Sequence, residues 1–318
     1  MSDGPTVSDG LFPGPPALPS DGRGTVVTVG TFDGVHRGHQ AVLREVCERA
    51  EATGSRSVLL TFHPHPLRIV RPEHAPPLLT TPLEKREILA ETGLDFAVFV
   101  AFTPALSDFE PERFVREVLV GRVGVTELVI GYDHGFGRGR SGDTETLHRL
   151  GREIGFDVDV VEPVTTEEAA VSSTSIRKAI QDGEMEAAAR GLGRPYSMRG
   201  VVVRGEGRGH DLGFPTANLE VSGGEKLVPP AGIYAVRGVL REGTFDGALH
   251  IGPRPTFRGF PPAVELHLMD FEGDLYGEIV RVDFAKRLRE VRPFASAAEL
   301  VDQMEADVEE ARRVLAGG

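Results

Sequence analysis

The sequence has little cysteine and no long apolar run. No stretch approaches the roughly 20 apolar residues that a membrane-spanning helix needs, so we expect no membrane partner. The single cysteine, Cys47, excludes an internal disulfide and is typical of proteins from a reducing cytoplasm. Because Cys47 stands at helical spacing with Leu43, Val46 and Ala50, we expect it to be buried packing and not a reactive thiol.

The chain also lacks an excess of positive charge. Its 318 residues carry a net charge of −13, and an acidic surface disfavours nonspecific binding to nucleic acid, which depends on neutralising phosphates. A local basic pocket for a small nucleotide is compatible with that charge. Residues 1–24 are rich in Pro, Gly, Ser and Asp without the basic and apolar regions of a secretory signal, which predicts a flexible tail. We expect a cytoplasmic monomer or weak homo-oligomer with small-molecule substrates and no nucleic-acid partner.

The hydrophobic pattern predicts two domains of different class. In residues 25–155, short β-branched runs alternate with amphipathic stretches that end in Gly, a pattern typical of βαβ units in a doubly wound, parallel, Rossmann-like α/β sheet. Residues 172–192 predict a pair of helices. The later strand-like runs follow one another directly, which predicts a small antiparallel β-barrel followed by one long amphipathic helix. We therefore expect one domain over residues 25–190 and a second over residues 191–318.

A glycine-rich turn with two histidines follows the first predicted strand, in VTVGTFDGVHRGHQ. Gly30, Gly34 and Gly38 allow the backbone to approach a ligand closely, and the helix that follows presents unpaired N–H groups and a positive dipole end to an anion. His36 and His39 share one helical face, where two imidazoles can donate hydrogen bonds to a transferring phosphoryl group. A metal site is the alternative for this pair, but the sequence offers no obvious third ligand nearby.

The segment GTFDGVHRGH resembles the GxFDGxHxGH signature of the cytidylyl- and adenylyl-transferase superfamily. This resemblance implies that both histidines bind and stabilise the phosphates of ATP. A second motif of that superfamily, SSTxIR, stands at residues 172–177. By itself it favours a plain helix cap, although capping N–H groups beside an arginine also suit a phosphate. The ATP site implied by the two motifs comprises Gly30, Phe32, Asp33, Gly34, His36, Gly38, His39, Ser173, Thr174 and Arg177.

Two further segments follow predicted strands of the same domain. TFHPHP contains His63 and His65, and GYDHGFGRGRSGD contains Asp133 and Phe136. Ligands of an open parallel sheet bind beyond the carboxyl ends of its strands, so we expect these segments to face the same site. The glycines of the second segment suit a loop that closes over an anion, with an ordinary surface connection as the alternative.

The second domain carries a different constellation, GEGRGHDLGFPTANLE followed by AVELHLMDF. Thr216 and Asn218 are two apart, so on an extended segment both side chains point to one face. Two oxygen donors on one face can hold Mg²⁺. Glu265 alternates with the apolar residues of its strand and lies either on an ordinary solvent-facing surface or over a site. The strand pattern alone favours solvent.

The segments GFPTAN, GIYAV, IGPRPTF and VELHLMDFEGDLYG together resemble the riboflavin kinase family, whose fold is a six-stranded barrel. The resemblance implies that Thr216 and Asn218 bind Mg²⁺ and that Glu265 is the base that activates the ribityl 5′-hydroxyl. The implied nucleotide-binding residues are Gly205, Gly213, Phe214, Pro215, Thr216 and Asn218. Two positions depart from the usual family pattern: His250 precedes Ile-Gly where Asn is common, and His63 precedes Pro-His-Pro where Asp is common.

Both modules in this order resemble the prokaryotic bifunctional riboflavin kinase/FMN adenylyltransferase family. The resemblance implies ATP, riboflavin, FMN and FAD as substrates or products, and it makes His63, His65, Asp133 and Phe136 expected FMN-binding residues. Three alternatives stay open. One activity is lost because of the two departures, the chain binds flavin without turnover, or the first domain is another nucleotidyltransferase, which leaves the barrel unexplained.

Overall fold

The computed structural model forms two compact units, Met1–Ser172 and Ser173–Gly318. The residues that the structure describes are 6–10, 18–19, 21–132, 142–162, 165, 170–205, 214–221, 224–252 and 262–317.

The first unit is built on a six-stranded parallel sheet. Its strands are β1 (Thr6–Gly10), β2 (Thr25–Val29), β3 (Arg56–His63), β4 (Phe96–Ala101), β5 (Val125–Gly131) and β6 (Asp157–Val161). Their order in the sheet is β1-β4-β3-β2-β5-β6, and every neighbouring pair is parallel. Strands β3 and β4 lie on one side of β2, and strands β5 and β6 lie on the other side. The topological switch point therefore lies between β2 and β5, where sheets of this kind bind ligands.

Helices accompany this sheet. They are α1 (Arg37–Thr53), α2 (Pro66–Val70), α3 (Pro82–Ala90), α4 (Pro104–Ser107), α5 (Pro111–Phe114), which continues as a π-helix over Val115–Val123, and α6 (Thr144–Ile154). Helix α3 begins with a capping box in which the Thr81 hydroxyl accepts from the Glu84 N–H and the Glu84 carboxylate accepts from the Thr81 N–H. Such reciprocal capping satisfies two N–H groups at a helix start.

Apolar residues are buried on both faces of the sheet. Val26 and Leu59 belong to the cluster under α1, whereas their neighbours Val27 and Leu60 belong to the cluster on the opposite face. Successive strand residues point to opposite faces, so burial of both is the mark of a sheet covered on two sides. The predicted doubly wound parallel fold is confirmed. Cys47 lies partly buried against the α1 cluster, and burial raises the pKa of its thiol.

The N-terminal segment differs from the flexible tail that its composition predicts. Residues Thr6–Gly10 pair in parallel with β4 as an edge strand, and Leu18 packs against the core. The Arg56 guanidinium donates to the Pro19 carbonyl at 2.7 Å and also contacts the Asp21 carboxylate. The added strand forms hydrogen bonds with backbone groups that would otherwise be unpaired at the edge of β4. The composition of the segment gives no sign of this stabilisation.

The second unit begins with two helices and continues as a closed antiparallel barrel. Its elements are α7 (Ser173–Asp182), α8 (Met185–Leu192), β7 (Tyr196–Val203), β8 (Ala217–Val221), β9 (Gly232–Val239), β10 (Thr244–Gly252), β11 (Ala263–Leu268), β12 (Ile279–Arg289) and α9 (Ala297–Ala316). The barrel order is β10-β11-β8-β7-β12-β9, with β9 paired to β10. The predicted barrel and final helix are confirmed.

Large aromatic side chains fill the barrel, and α9 covers part of its outside. Tyr234 and Phe284 are fully buried, with ring centroids 5.4 Å apart. Ala311 of α9 packs in a cluster with Met269. The buried stripe of α9 also includes Asp307, whose carboxylate accepts from the Arg289 guanidinium at 2.6 Å. Among the described residues, none of the helices combines the length and the apolar character needed to cross a bilayer.

Candidate functional site

The turn between β2 and α1 stands at the switch point of the parallel sheet and has an unusual backbone. Phe32, Gly34 and Val35 have φ values of 46°, 81° and 40°. Glycine adopts this region without a steric cost, whereas a side-chain-bearing residue there costs about 1–3 kcal/mol. Conformations of this kind persist where the surroundings impose them, and they cluster at binding and catalytic sites.

A buried carboxylate imposes this conformation. Asp33 is 2% exposed, and its oxygens accept from the N–H groups of Leu79 and Thr80 at 3.0 Å and from the Thr80 hydroxyl at 3.1 Å. The Thr80 hydroxyl in turn accepts from the Gly34 N–H at 3.0 Å. The turn is thereby tied to the segment before α3. In the described structure Asp33 holds the turn, and its contact with ATP stays a prediction.

The two histidines of the turn are stacked face to face. The ring centroids of His36 and His39 are 3.6 Å apart, and the Phe32 ring lies 4.5 Å from the ring of His39. His36 caps α1, because its Nδ1 accepts from the His39 N–H at 3.3 Å. A Cβ on Gly38 would approach the His36 ring to 3.2 Å, so glycine leaves room for that ring. With Nδ1 accepting, the proton of a neutral His36 lies on Nε2, which becomes its donor.

Burial keeps His39 neutral. It lowers the pKa of His39 well below 6.5, and the charges of His36 and Lys85 act in the same direction. The Nδ1 atom of His39 is enclosed and has no hydrogen-bond partner among the described residues. Enclosed polar atoms are normally paired, so this nitrogen is suited to a bound ligand.

A small cleft lies beyond the carboxyl ends of β2, β3 and β4. Its lining includes Asp33, His63, His65, Thr80 and Lys85. The structure therefore brings the two histidines of the TFHPHP segment to the same place as the glycine-rich turn. His63 is exposed, whereas the Nδ1 atom of His65 accepts from the Leu67 N–H at 3.2 Å and caps α2.

Lys85 also lines this cleft, and it was not predicted from the sequence. Its Nζ donates to the Thr31 carbonyl at 2.6 Å, and burial lowers its pKa to about 8 against the opposing effect of Asp33. A usable signal was present in PLEKREILA, where Lys85 stands four residues before Leu89. Residues at i and i+4 share a helical face, and both are buried.

The remaining predicted residues of the ATP and FMN sites are placed as follows. A Cβ on Gly30 would come within 2.9 Å of the Phe32 ring, so this position also needs glycine. Ser173, Thr174 and Arg177 stand in the first turns of α7, which belongs to the second compact unit. Asp133, Phe136 and Gly213 lie outside the described residues.

The barrel brings the predicted kinase residues together on neighbouring strands. Glu265 of β11 is in register with Asn218 of β8 on one side and with His250 of β10 on the other. The Glu265 side chain is 38% exposed, and its neighbours along β11 are buried in the barrel. A Cβ on Gly205 would collide with the Asn218 side chain. Gly205 therefore lies directly against Asn218.

The segment before β8 runs beside β11. A ring nitrogen of His267 lies 2.9 Å from the Pro215 carbonyl oxygen, and the Phe214 ring meets the His267 ring edge-on at 5.5 Å. His267 and Glu265 point to the same face of β11 because they are two residues apart. These contacts place Phe214 and Pro215 beside the Glu265 face, next to Thr216.

The geometry agrees with the family comparisons. A family model described as FAD synthetase matches residues 18–175, and one described as riboflavin kinase matches residues 192–315. A bifunctional riboflavin kinase/FMN adenylyltransferase of Bacillus subtilis is 35% identical over 91% of this chain and 92% of its own length. Proteins with the same description from Escherichia coli and Pseudomonas fluorescens are 37% and 38% identical over at least 90% of each chain.

A solved structure has the same overall fold. It is described as a macrolide-efflux protein from Streptococcus pneumoniae, and it is 31% identical to this chain, with a TM-score of 0.84 over 92% of this chain and 94% of its own. The relatives thus match this chain across both modules, over at least 90% of each chain. The chain therefore belongs to the family of bifunctional riboflavin kinase/FMN adenylyltransferases.

Proposed function

We propose that the barrel unit phosphorylates riboflavin to FMN, and that the α/β unit joins FMN to the AMP of a second ATP to give FAD and pyrophosphate. We assign the adenylyltransferase to residues 25–190 and the kinase to residues 191–318. The observation that carries the proposal is the pairing of two sites on one chain: stacked His36 and His39 at the switch point, and Glu265 beside Asn218 on the barrel. The substrates are small molecules, and we place the enzyme in the cytoplasm, as a monomer or weak homo-oligomer without a nucleic-acid partner.

In adenylyl transfer, a phosphate oxygen of FMN attacks the α-phosphorus of ATP and the α–β bond breaks. Negative charge grows on the phosphate oxygens, and fixed donors that face this charge lower the barrier. His36 offers Nε2–H, His39 offers a neutral ring, and the start of α1 offers backbone N–H groups. We assign Gly30, Phe32, Asp33, Gly34 and Gly38 of this turn to ATP binding, and Ser173, Thr174 and Arg177 to ATP binding as well.

The acceptor FMN fits the cleft beside the turn. His63 and His65 line it together with Lys85, so two imidazoles and an ammonium group are available to a phosphate-bearing flavin. Charge-assisted hydrogen bonds of this kind are stronger than neutral ones. Asp133 and Phe136, which follow β5 in the sequence, complete the proposed FMN-binding set.

In the kinase reaction, the ribityl 5′-hydroxyl oxygen attacks the γ-phosphorus of ATP, the bond from that phosphorus to the β–γ bridging oxygen breaks, and ADP leaves while Glu265 accepts the hydroxyl proton. Thr216 and Asn218 are two apart on an extended segment, and the Asn218 amide is held against Gly205, so their oxygens fit a magnesium ion. Bound Mg²⁺ would neutralise the phosphates of the nucleotide. Glu265 is exposed enough to meet a substrate and lies next to Asn218 across the sheet. We assign Gly205, Gly213, Phe214 and Pro215 to the same nucleotide.

Product analysis tests the proposed function. Purified protein is incubated with riboflavin, ATP and Mg²⁺, and separately with FMN in place of riboflavin, and the flavins are separated by chromatography. We expect FMN and FAD from the first mixture and FAD from the second. If FAD forms in the mixture with FMN but no product forms in the mixture with riboflavin, the kinase site is inactive. Tight flavin binding with no product in either mixture would refute both activities.

A further inference from the structure

The carboxylate of Glu265 is contacted by a histidine from the neighbouring strand. His250 stands opposite Glu265 in the β10–β11 register, and its Nδ1 lies 3.4 Å from Glu265 Oε2. The two side chains are exposed to similar extents, 35% for His250 and 38% for Glu265. Hydrogen bonds at catalytic sites are often long without substrate and shorten when it binds.

The ring of His250 lies over Gly252, two residues further along the same strand. A Cβ on Gly252 would be 2.5 Å from Nε2 and 2.7 Å from Cε1 of that ring. Both atoms lie on the edge of the ring away from the chain, so any larger residue at position 252 would push the ring out of its place. Glycine at this position therefore permits the ring orientation in which Nδ1 meets Glu265.

A catalytic base on the outside of a barrel strand needs a neighbouring group that holds its carboxylate in position. A glutamate has three rotatable side-chain bonds, and a partly exposed carboxylate exchanges among rotamers unless it is held. The rate of a proton transfer depends strongly on the position of the base, and a displacement of about 1 Å costs about 100-fold. A ring N–H that donates to the carboxylate restricts those rotamers.

We propose that His250 is a positioning residue for riboflavin phosphorylation, which holds the Glu265 carboxylate through Nδ1–H while Gly252 leaves room for its ring. This inference rests on the proposed role of Glu265 as the base. An asparagine at position 250 would also offer a side-chain N–H to this carboxylate.

Steady-state kinetics of FMN formation test the role of His250. We expect His250→Ala to lower kcat by about tenfold or more with little change in the KM for riboflavin, and His250→Asn to recover most of the loss. FAD formation from supplied FMN reports on the other unit and should stay at the wild-type rate. A wild-type kcat in His250→Ala, or a loss confined to KM, would overturn the proposal.

A double-mutant comparison separates positioning from general disturbance of the strand. Gly252→Ala should lower kcat when His250 is present but have little further effect in the His250→Ala background, because the ring that it displaces is gone. Independent, additive losses of kcat from the two substitutions would contradict the inference. This test applies even if His250→Ala is itself poorly folded. Glu265→Gln distinguishes this failure from that of the proposed function. If Glu265→Gln still makes FMN at the wild-type rate, the assigned base is wrong; if it does not, only the role of His250 is at issue.

Discussion

Lys85 is a buried cation that lines the proposed FMN cleft. Its Nζ is held by the Thr31 carbonyl, and Asp33 opposes the effect of burial on its pKa. A lysine in such a position combines a structural hydrogen bond with a charge that lines the cleft. Its ionisation is therefore a direct report on the environment of the cleft.

We predict that Lys85 titrates near pH 8. The chain has four lysines, so NMR of protein labelled at the lysine side chains should show one resonance with a midpoint of about 8, absent from Lys85→Met. The unfolded lysine titrates near 10.5 and binds more protons between these values, so this group makes the free energy of unfolding rise with pH across that window. A midpoint near 10.5 for every lysine would show that Lys85 is solvated.

His39 affects stability in the same direction as Lys85, but at lower pH. Because burial lowers its pKa well below 6.5, the unfolded state takes up a proton first as the pH falls through 6.5. The contribution of His39 to stability is therefore complete above pH 6.5 and is lost progressively below it. We predict that the unfolding temperature of the first unit drops less between pH 7 and pH 5 in His39→Asn than in the wild type. Equal drops in the two proteins would place His39 in a solvated environment.

At the scale of elements, the β2–α1 turn depends on a segment that is distant in the sequence. Asp33 accepts hydrogen bonds from Leu79 and Thr80, which are 46 and 47 residues away. The strained values of φ at Phe32 and Val35 persist because this tie is present. The position of the stacked histidines follows from the turn.

We predict that Asp33→Asn impairs FAD formation while FMN formation continues. The substituted amide has one oxygen acceptor where the carboxylate has two, and its NH₂ group faces N–H donors. Leaving a buried donor unpaired costs about 1–3 kcal/mol. The measurement is the rate of each reaction together with the unfolding temperature of the first unit. Unchanged FAD formation would show that the turn keeps its shape without this carboxylate. The matched control is Asp21→Asn, which removes an exposed partner of Arg56.

Whether a segment forms a helix or a strand was predictable, because each has its own local periodicity of apolar residues. The alternation of Val264, Leu266 and Leu268 with Glu265 and His267 is the alternation of burial along β11. The parallel strands of the first unit were likewise recognisable from apolar runs separated by helical patterns. What the sequence did not reveal are contacts between distant segments.

Three features show that limit. The pairing of β1 with β4 depends on an open sheet edge, the role of Asp33 depends on Thr80, and the contact of His250 with Glu265 depends on barrel register. Each is set by tertiary placement, and none has a periodic signal of its own. The motifs were recognisable from the sequence, and the site roles assigned to their residues stay predictions; the contacts that position these residues were not predictable.

At the scale of the whole molecule, the proposed catalytic groups of the two reactions belong to different compact units. The stacked histidines belong to the first unit, and Glu265, Asn218 and His250 belong to the second. Each unit has its own core of buried side chains. Damage to one site should therefore leave the chemistry of the other intact.

The most direct measurement of this independence is product formation by His36→Ala and Glu265→Ala, each supplied in turn with riboflavin and with FMN. We predict that His36→Ala converts riboflavin to FMN at the wild-type rate and makes little FAD. Glu265→Ala should make FAD from supplied FMN at the wild-type rate and make little FMN. Loss of both reactions in either folded variant would contradict the assignment of one reaction to each unit.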